Sequence, residues 1–298
     1  MSDPSTPGRF DRIVLIFNPK GRSDPGRLAR QLSQDLRARL PAIPVSLEPT
    51  GFAGHGRALA REMASTGRPL IVSISGDGGY NEVINGVMDA GGNAVCAVMA
   101  GGNANDHRRS TSTMPLIEAI IGAEVRRLDL LELQIGEGPG AWSRYAHSYI
   151  GFGLTPAMAT GIEEGTKGRL SELISVTRTV SRLRPIEIAR TDGARATFDS
   201  LVLANIAHMA KYGRISEAGE PNDGMFEVIM LPHASKWRIA LMTLRAVTIG
   251  LGAQQSVSRY EFLTLDPIPL QIDGEIMQIN AHTSVLVQAR HQALATLG

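Results

Sequence analysis

The sequence predicts an α/β plus β protein: an N-terminal Rossmann-like three-layer α/β domain over residues 1–128, then a C-terminal β-sandwich domain over residues 129–298. Three observations carry that prediction. Short apolar runs alternate with amphipathic helical stretches from residue 12 to about residue 122. After Val125 the pattern changes to short alternating strands separated by Gly and Pro. Within the first stretch, the run SGDGGYNEVING, Ser75 to Gly86, joins an apolar strand to a helix through a loop with almost no side chains. Repeated βα units favour a largely parallel sheet covered by helices, whereas closely spaced strands with turn signals favour an antiparallel sandwich.

The elements follow in order. RIVLIF, residues 12–17, reads as the first strand, and Leu28, Leu32, Leu36 and Leu40, four apart, give the next helix one apolar stripe. IPVSLE is the second strand, and a second helix is expected from about residue 55 to residue 66. Leu70, Ile71, Val72 and Ile74 form the strand before the glycine loop, and Val83, Ile84, Val87 and Met88 recur at helical spacing after it. AVCAVM continues the rhythm. In the second half LDLLELQIGEG, RPIEIARTDG, SLVLANIAHM and FEVIML read as strands, interrupted by helical stretches near residues 162–182 and 236–250. In the latter, Trp237, Leu241, Leu244 and Val247 share one side and Arg238 and Arg245 another, a pattern open to interfacial or core packing.

Composition narrows the function classes. At 43% hydrophobic residues the chain can bury a sizeable core, and a net charge of +1 with 20% charged residues gives no global basic field for nucleic acid. A single cysteine, Cys96, lies in an apolar run, so no disulfide framework can form and a reducing compartment fits. The first residues lack the basic and apolar segments of a secretory signal, and no run approaches the ~20 apolar residues of a membrane span. A cytoplasmic protein able to touch a bilayer is expected; Arg178, Arg182, Arg184 and Arg190 could meet anionic headgroups or simply be solvated.

The glycine loop carries chemistry. At a helix N-terminus, unpaired N–H groups and the helix dipole favour an anion, and Gly76, Gly78 and Gly79 let a phosphate approach without a Cβ in the way. Asp77 would repel that phosphate unless a cation lay between them or the carboxylate handled a proton. In parallel sheets ligands bind beyond the carboxyl ends of the strands, where Asn18, Thr50, the loop and Gly102–Asn105 all fall.

These blocks, in order, resemble the diacylglycerol kinase catalytic domain family of bacterial lipid kinases and sphingosine and ceramide kinases, more distantly related to NAD kinases. The matching segments are RIVLIFNPKG with Asn18, Pro19 and Gly21; Thr50 followed by GHGRALAREM; SGDGGYNEVING against GGDGTxNEVxNG; MAGGNANDHRR against LPxGTxND; then GFGLTPAM, GEPNDGMFEV and QIDGEIM. Two departures stand out: Gly79 and Asn103 replace family threonines, removing two nucleotide-facing hydroxyls. The resemblance implies an ATP- and Mg²⁺-dependent transfer of phosphate to a lipid alcohol in phospholipid metabolism, with transient membrane-surface contact. It implies no nucleic-acid partner, and leaves oligomeric state open, a homodimer included. It also implies a β-rich second domain whose C-terminal segment returns toward the first.

The resemblance also implies roles for individual residues. Asn18, Thr50, Gly76, Asp77, Gly78, Gly79, Tyr80, Asn81, Glu82, Gly102 and Asn103 would bind the nucleotide, with Asp77 facing Mg²⁺ and phosphates. Asp106 and Asp129 would join a water-linked carboxylate network around that Mg²⁺; alternatively Asp129 pairs with Arg126 or Arg127. Glu275 would accept the substrate hydroxyl's proton, with Asp273 beside it in the catalytic turn, although Asp273-Gly274-Glu275 also reads as a plain hairpin turn. Asp223, with the carbonyls of Glu220 and Met225, would hold a structural metal, although Asp-Gly is first a turn signal. An NAD kinase-like enzyme and a non-catalytic nucleotide- or lipid-binding regulator are the alternatives. The Asn81-Glu82-Val83 sequence argues against the first, and retention of Asp77, Asp106, Asp273 and Glu275 against the second.

Overall fold

The computed structural model describes residues 10–21, 23–100, 114–153, 185–191, 193–206, 208–209, 213–214, 220–233 and 254–297. The expected helices near 162–182 and 236–250 lie outside the described residues, as do Arg178, Arg182 and Arg184. The chain divides into two compact units: one holds residues as far as Asp129 together with those from Gln292 onward, the other Leu130–His291.

The first unit is built on β1 (Ile13–Phe17), α1 (Pro25–Arg39), β2 (Val45–Pro49), α2 (His55–Ala64), β3 (Leu70–Ser75), α3 (Asp77–Asp89), β4 (Val95–Ala100) and α4 (Leu116–Gly122). β1 is buried at every position and β3 at all but its last, the continuous apolar runs that a parallel strand covered on both faces requires. β1 lies between β2 and β3, Phe17 pairing with both Pro49 and Ile74, and β4 adds beyond β3. α1 starts at Asp24, whose side chain accepts from the N–H of Arg27, with Pro25 at the first helical position. Its stripe of Ala29, Leu32 and Leu36 is buried against the sheet's core.

The second unit begins within β5 (Val125–Ile135) and continues through β6 (Trp142–Ala146), β7 (Tyr149–Gly153), β8 (Ile186–Arg190) and β9 (Arg195–Ala204). The two-residue pair β10 (His208–Met209) and β11 (Gly213–Arg214) precedes β12 (Phe226–Pro232). β13 (Gln255–Val257), β14 (Arg259–Thr264), β15 (Ile268–Ile272), β16 (Glu275–Ile279) and β17 (Ser284–Leu297) complete it. The ladders β16–β15, β15–β7, β7–β9, β9–β8, β8–β14 and β14–β17 are all antiparallel, and β12 adds to β9. Their inward residues, among them Phe152, Phe198, Phe226 and Phe262, form one apolar core.

The last residues of β17 belong to the first unit, where Thr296 pairs in parallel with Cys96 of β4. Gln292 marks the change with a left-handed backbone, φ 50°. Its N–H donates to the Asp129 carboxylate at 2.6 Å, and its carbonyl accepts from Arg127 at 3.3 Å. The sheet of this unit therefore runs β2–β1–β3–β4–β17, and its order reverses between β1 and β3.

Cys96 is wholly buried, and burial pushes its thiol up from 9.0 to about 12. Tyr80 is also raised, first by burial and then by Cys96, against a smaller lowering by a Thr296 hydrogen bond. Between pH 9 and 12 the folded chain keeps a thiol proton that the unfolded chain releases. Stability is thus intact below pH 9 and falls as pH climbs, by about 1.4 kcal/mol per pH unit from Cys96 alone. Urea melts at pH 8, 9.5 and 10.5 should show this loss, and Cys96→Ala should flatten it. An unchanged slope in that variant would contradict the assignment.

Candidate functional site

The reversal of strand order opens a cleft of about 500 Å³ at the carboxyl ends of β1, β2 and β3. Three βα turns line it: Asn18, Lys20 and Gly21 after β1; Thr50, Gly51 and Phe52 after β2; Ser75, Gly76 and Gly79 after β3, with Glu82 one turn further along α3. Such crevices are where open α/β sheets hold ligands.

Each turn has its own cause. After β1, the Asn18 carboxamide oxygen accepts from the N–H of Lys20 at 2.9 Å and the Asn18 carbonyl from the N–H of Gly21 at 3.0 Å. A Cβ on Gly21 would lie 2.7 Å from the Pro25 ring, so the turn is tight only because that residue has none. After β2, the N–H of Thr50 is tied to the Phe17 carbonyl at 2.8 Å. His55 Nδ1 accepts from the N–H of Gly51 at 3.0 Å while its ring stacks on Phe52, 4.5 Å between centroids. Phe52 itself is 69% exposed at the cleft. After β3, Gly76 caps α3 in an extended conformation and offers no side chain to the first-turn N–H groups. Those groups and the helix dipole favour an anion at that end of the cleft.

Glu82 has a clear structural task. Its two carboxylate oxygens accept from the N–H groups of Gly54 and Gly56, each at 3.0 Å, and so cap α2 across 28 and 26 residues of sequence. A Cβ on Gly56 would meet Glu82 Oε2 at 2.7 Å, which explains the glycine. Sequence reading gave Glu82 to the ligand and did not see the cap, because nothing local links positions 54 and 82.

Of the residues expected at the nucleotide, Asn18, Thr50, Gly76, Gly79 and Glu82 line one cleft. Asp77 and Gly78 open α3 immediately beside it, half-buried. Tyr80 and Asn81 are not brought there: the Tyr80 side chain is wholly buried, and Asn81 is buried with its carboxamide oxygen and carbonyl bonded to Asn85. Helical periodicity turns the Tyr80 side chain into the core, away from the cleft. Gly102, Asn103 and Asp106 lie outside the described residues. Among the lining residues that sequence reading missed are Lys20, Phe52 and Ser75. Lys20 had a signal, a cation two residues after Asn18 in the same turn, suited to a phosphate.

Asp129 is buried and holds the N–H of Gln292. In the second unit Asp273 and Gly274, with φ 44° and 97°, form the two-residue turn of the β15–β16 hairpin, where Ile272 pairs with Glu275. Positive φ at both positions is the hairpin turn that Asp-Gly favours. The Asp273 carboxylate is buried and accepts from three successive N–H groups, those of His147 (2.7 Å), Ser148 (3.0 Å) and Tyr149 (3.0 Å). His147 Nε2 lies 3.4 Å from it, and Ser148 Oγ bonds His147 Nδ1 at 2.7 Å. Glu275 is half-buried and ion-paired with Arg144 of β6. Asp223 is exposed and accepts from the N–H of Met225 at 2.9 Å, with Glu220 exposed nearby in sequence. No group of three or more metal-ligating side chains occurs among the described residues.

A glycine-lined cleft at a strand-order reversal, beside an uncapped helix N-terminus and a lysine, is the build of a phosphate-binding α/β domain. Residues 12–133 match the model of the diacylglycerol kinase catalytic domain. The "Putative lipid kinase SAS0691" of Staphylococcus aureus (strain MSSA476) is 28% identical over 118 residues, 37% of this chain and 36% of that relative's length. The "Diacylglycerol kinase" of Bacillus subtilis (strain 168) is 24% identical over 282 residues, 89% of each chain. Among solved structures, "A putative diacylglycerol kinase from Bacillus anthracis str. Sterne" shares the fold with a TM-score of 0.73, covering 97% of each chain at 16% identity.

Proposed function

We propose that the chain is a lipid kinase, transferring the γ-phosphoryl group of ATP to a hydroxyl of a lipid alcohol of the diacylglycerol, sphingoid or phosphatidylglycerol type. The observation that carries the reading is the cleft at the ends of β1, β2 and β3, which lies wholly within the matched family segment. Its donors suit a nucleotide's phosphates: first-turn N–H groups of α3, the Lys20 ammonium, and the short polar side chains of Asn18 and Thr50.

Phosphoryl transfer asks the protein chiefly to hold the nucleotide still, offset its charge and relieve the attacking hydroxyl of its proton. Asp77, at the first position of α3, is the carboxylate that would hold Mg²⁺ beside the phosphates, with Asp106 and Asp129 in the surrounding network. Bound there, Mg²⁺ would offset phosphate charge. Glu275 takes the acceptor's proton as the new P–O bond forms and the bond from the γ-phosphorus to the β–γ bridging oxygen breaks, releasing ADP. A loose transition state demands little proton removal in advance, so an ionised glutamate suffices. Asp273 serves Glu275 by fixing the turn that carries it. Asp223, with the carbonyls of Glu220 and Met225, is proposed to hold a structural cation.

No helix among the described residues is long and apolar enough to cross a membrane. Access to a lipid hydroxyl is proposed as transient contact with a membrane surface from the cytoplasm. The test is transfer of labelled γ-phosphate from ATP and Mg²⁺ to a panel of lipid alcohols in mixed micelles, with Asp77→Ala and Glu275→Ala in parallel. A phosphorylated lipid that disappears in both variants is the expected result. Unchanged transfer in Glu275→Ala would remove that residue as the base, and no product from any acceptor would overturn the reading.

A further inference from the structure

Gly79 is where the chain lacks a threonine hydroxyl that the resembled pattern carries, yet the space beside it is filled. A Cβ on residue 79 would lie 2.7 Å from both Cβ and Oγ of Ser75. Real Cβ atoms do not approach that closely. Rotating the Ser75 hydroxyl would clear the second contact but not the first, since Cβ is fixed by the backbone. Position 79 therefore has to stay side-chain-free for as long as position 75 carries a side chain.

Ser75 ends β3, directly before the N-cap of α3, and lines the cleft beside Gly76 and Gly79. Its hydroxyl lies 2.7 Å from Ser73 Oγ and donates to the Gly76 carbonyl at 2.9 Å. With that donation in place, Ser73 is the donor in the serine pair, which holds Ser75 Oγ in one position. A hydroxyl hydrogen turns about its C–O bond, so it can leave the Gly76 carbonyl for an anion at the α3 N-terminus without any heavy atom moving.

We infer that Ser75 and Gly79 are an exchanged pair, in which the Ser75 hydroxyl takes over as the side-chain hydrogen-bond donor to a nucleotide phosphate in this loop. The inference rests on the nucleotide reading above and deepens it. It also changes what a restored threonine should do: Gly79→Thr alone introduces a clash, and only together with Ser75→Gly is the hydroxyl moved rather than added.

The test compares wild type, Ser75→Ala, Gly79→Thr and the double variant Ser75→Gly/Gly79→Thr by thermal melting without nucleotide and by calorimetric titration with ATP and Mg²⁺. Ser75→Ala keeps the Cβ and removes only the hydroxyl. Its Tm should stay within about 4 °C of wild type, while its nucleotide affinity falls about five- to tenfold. Gly79→Thr should melt clearly below wild type and bind poorly, and the double variant should regain most of both. Equal affinity of Ser75→Ala and wild type would overturn the ligand role, and a Gly79→Thr protein as stable as wild type would overturn the exchange. A wild type that takes up no nucleotide would instead sink the functional reading itself, and the Ser75 ligand role with it. In that case the melting arms still decide whether the two positions are coupled.

Discussion

Gly86→Ala is expected to destabilise the first unit by more than about 3 kcal/mol, although alanine is the better helix former by about 1 kcal/mol. Gly86 lies within α3 at its closest approach to α2. A Cβ there would come within 2.3 Å of the Arg57 carbonyl oxygen, 2.8 Å of the Ala60 Cβ and 2.9 Å of the Arg61 nitrogen. Two of those three atoms are backbone in a regular helix and cannot swing aside, so the helices must separate. Separation would also pull Gly54 and Gly56 from the Glu82 carboxylate and break the bidentate Arg57–Asp89 pair. Gly122→Ala is the matched control, because a Cβ at that helical position meets nothing within 4 Å. Thermal melts should place Gly86→Ala at least about 8 °C below wild type, with Gly122→Ala unchanged or slightly higher. Equal melting of the two variants would refute the packing argument.

Asp273→Ala carries the second large effect, an expected loss of about 3–5 kcal/mol from the second unit. Removing the carboxylate strands the N–H groups of His147, Ser148 and Tyr149, the first two in fully buried residues. It also places alanine at φ 44°, a left-handed backbone that aspartate tolerates and alanine resists. Asp273→Asn keeps that tolerance and one carbonyl oxygen, so it should fall between alanine and wild type. Urea midpoints in the order wild type, Asn, Ala are the expected result, and an alanine variant as stable as wild type would contradict the anchoring role. Transfer activity should follow the same order, since the turn that Asp273 holds presents Glu275.

Much of this architecture was legible because it depends on local periodicity. The apolar runs of β1 and β3 announced buried strands, and the leucines four apart announced α1. The Asp-Gly pair announced the β15–β16 turn. What stayed hidden depends on long-range pairing. The Glu82 cap of α2 spans 26–28 residues, and the Asp129 contact to Gln292 spans 163, and no pattern in a single sequence links such positions. Gly86 closes a block that otherwise reads as a phosphate loop, yet its reason is helix packing. Gly79 read as a lost hydroxyl because sequence shows what a position lacks, not what a neighbour has put in its space. Tyr80 follows the loop directly in sequence, yet helical periodicity buries its side chain.

The central claim, that the nucleotide is held where β1, β2 and β3 end, is tested most directly by hydrogen–deuterium exchange of the whole chain with and without saturating ATP and Mg²⁺. The account predicts slowed exchange in residues 16–21, 50–56 and 75–82, the three turns that line the cleft. Protection confined to Leu130–His291, or none anywhere at saturating nucleotide, would contradict it.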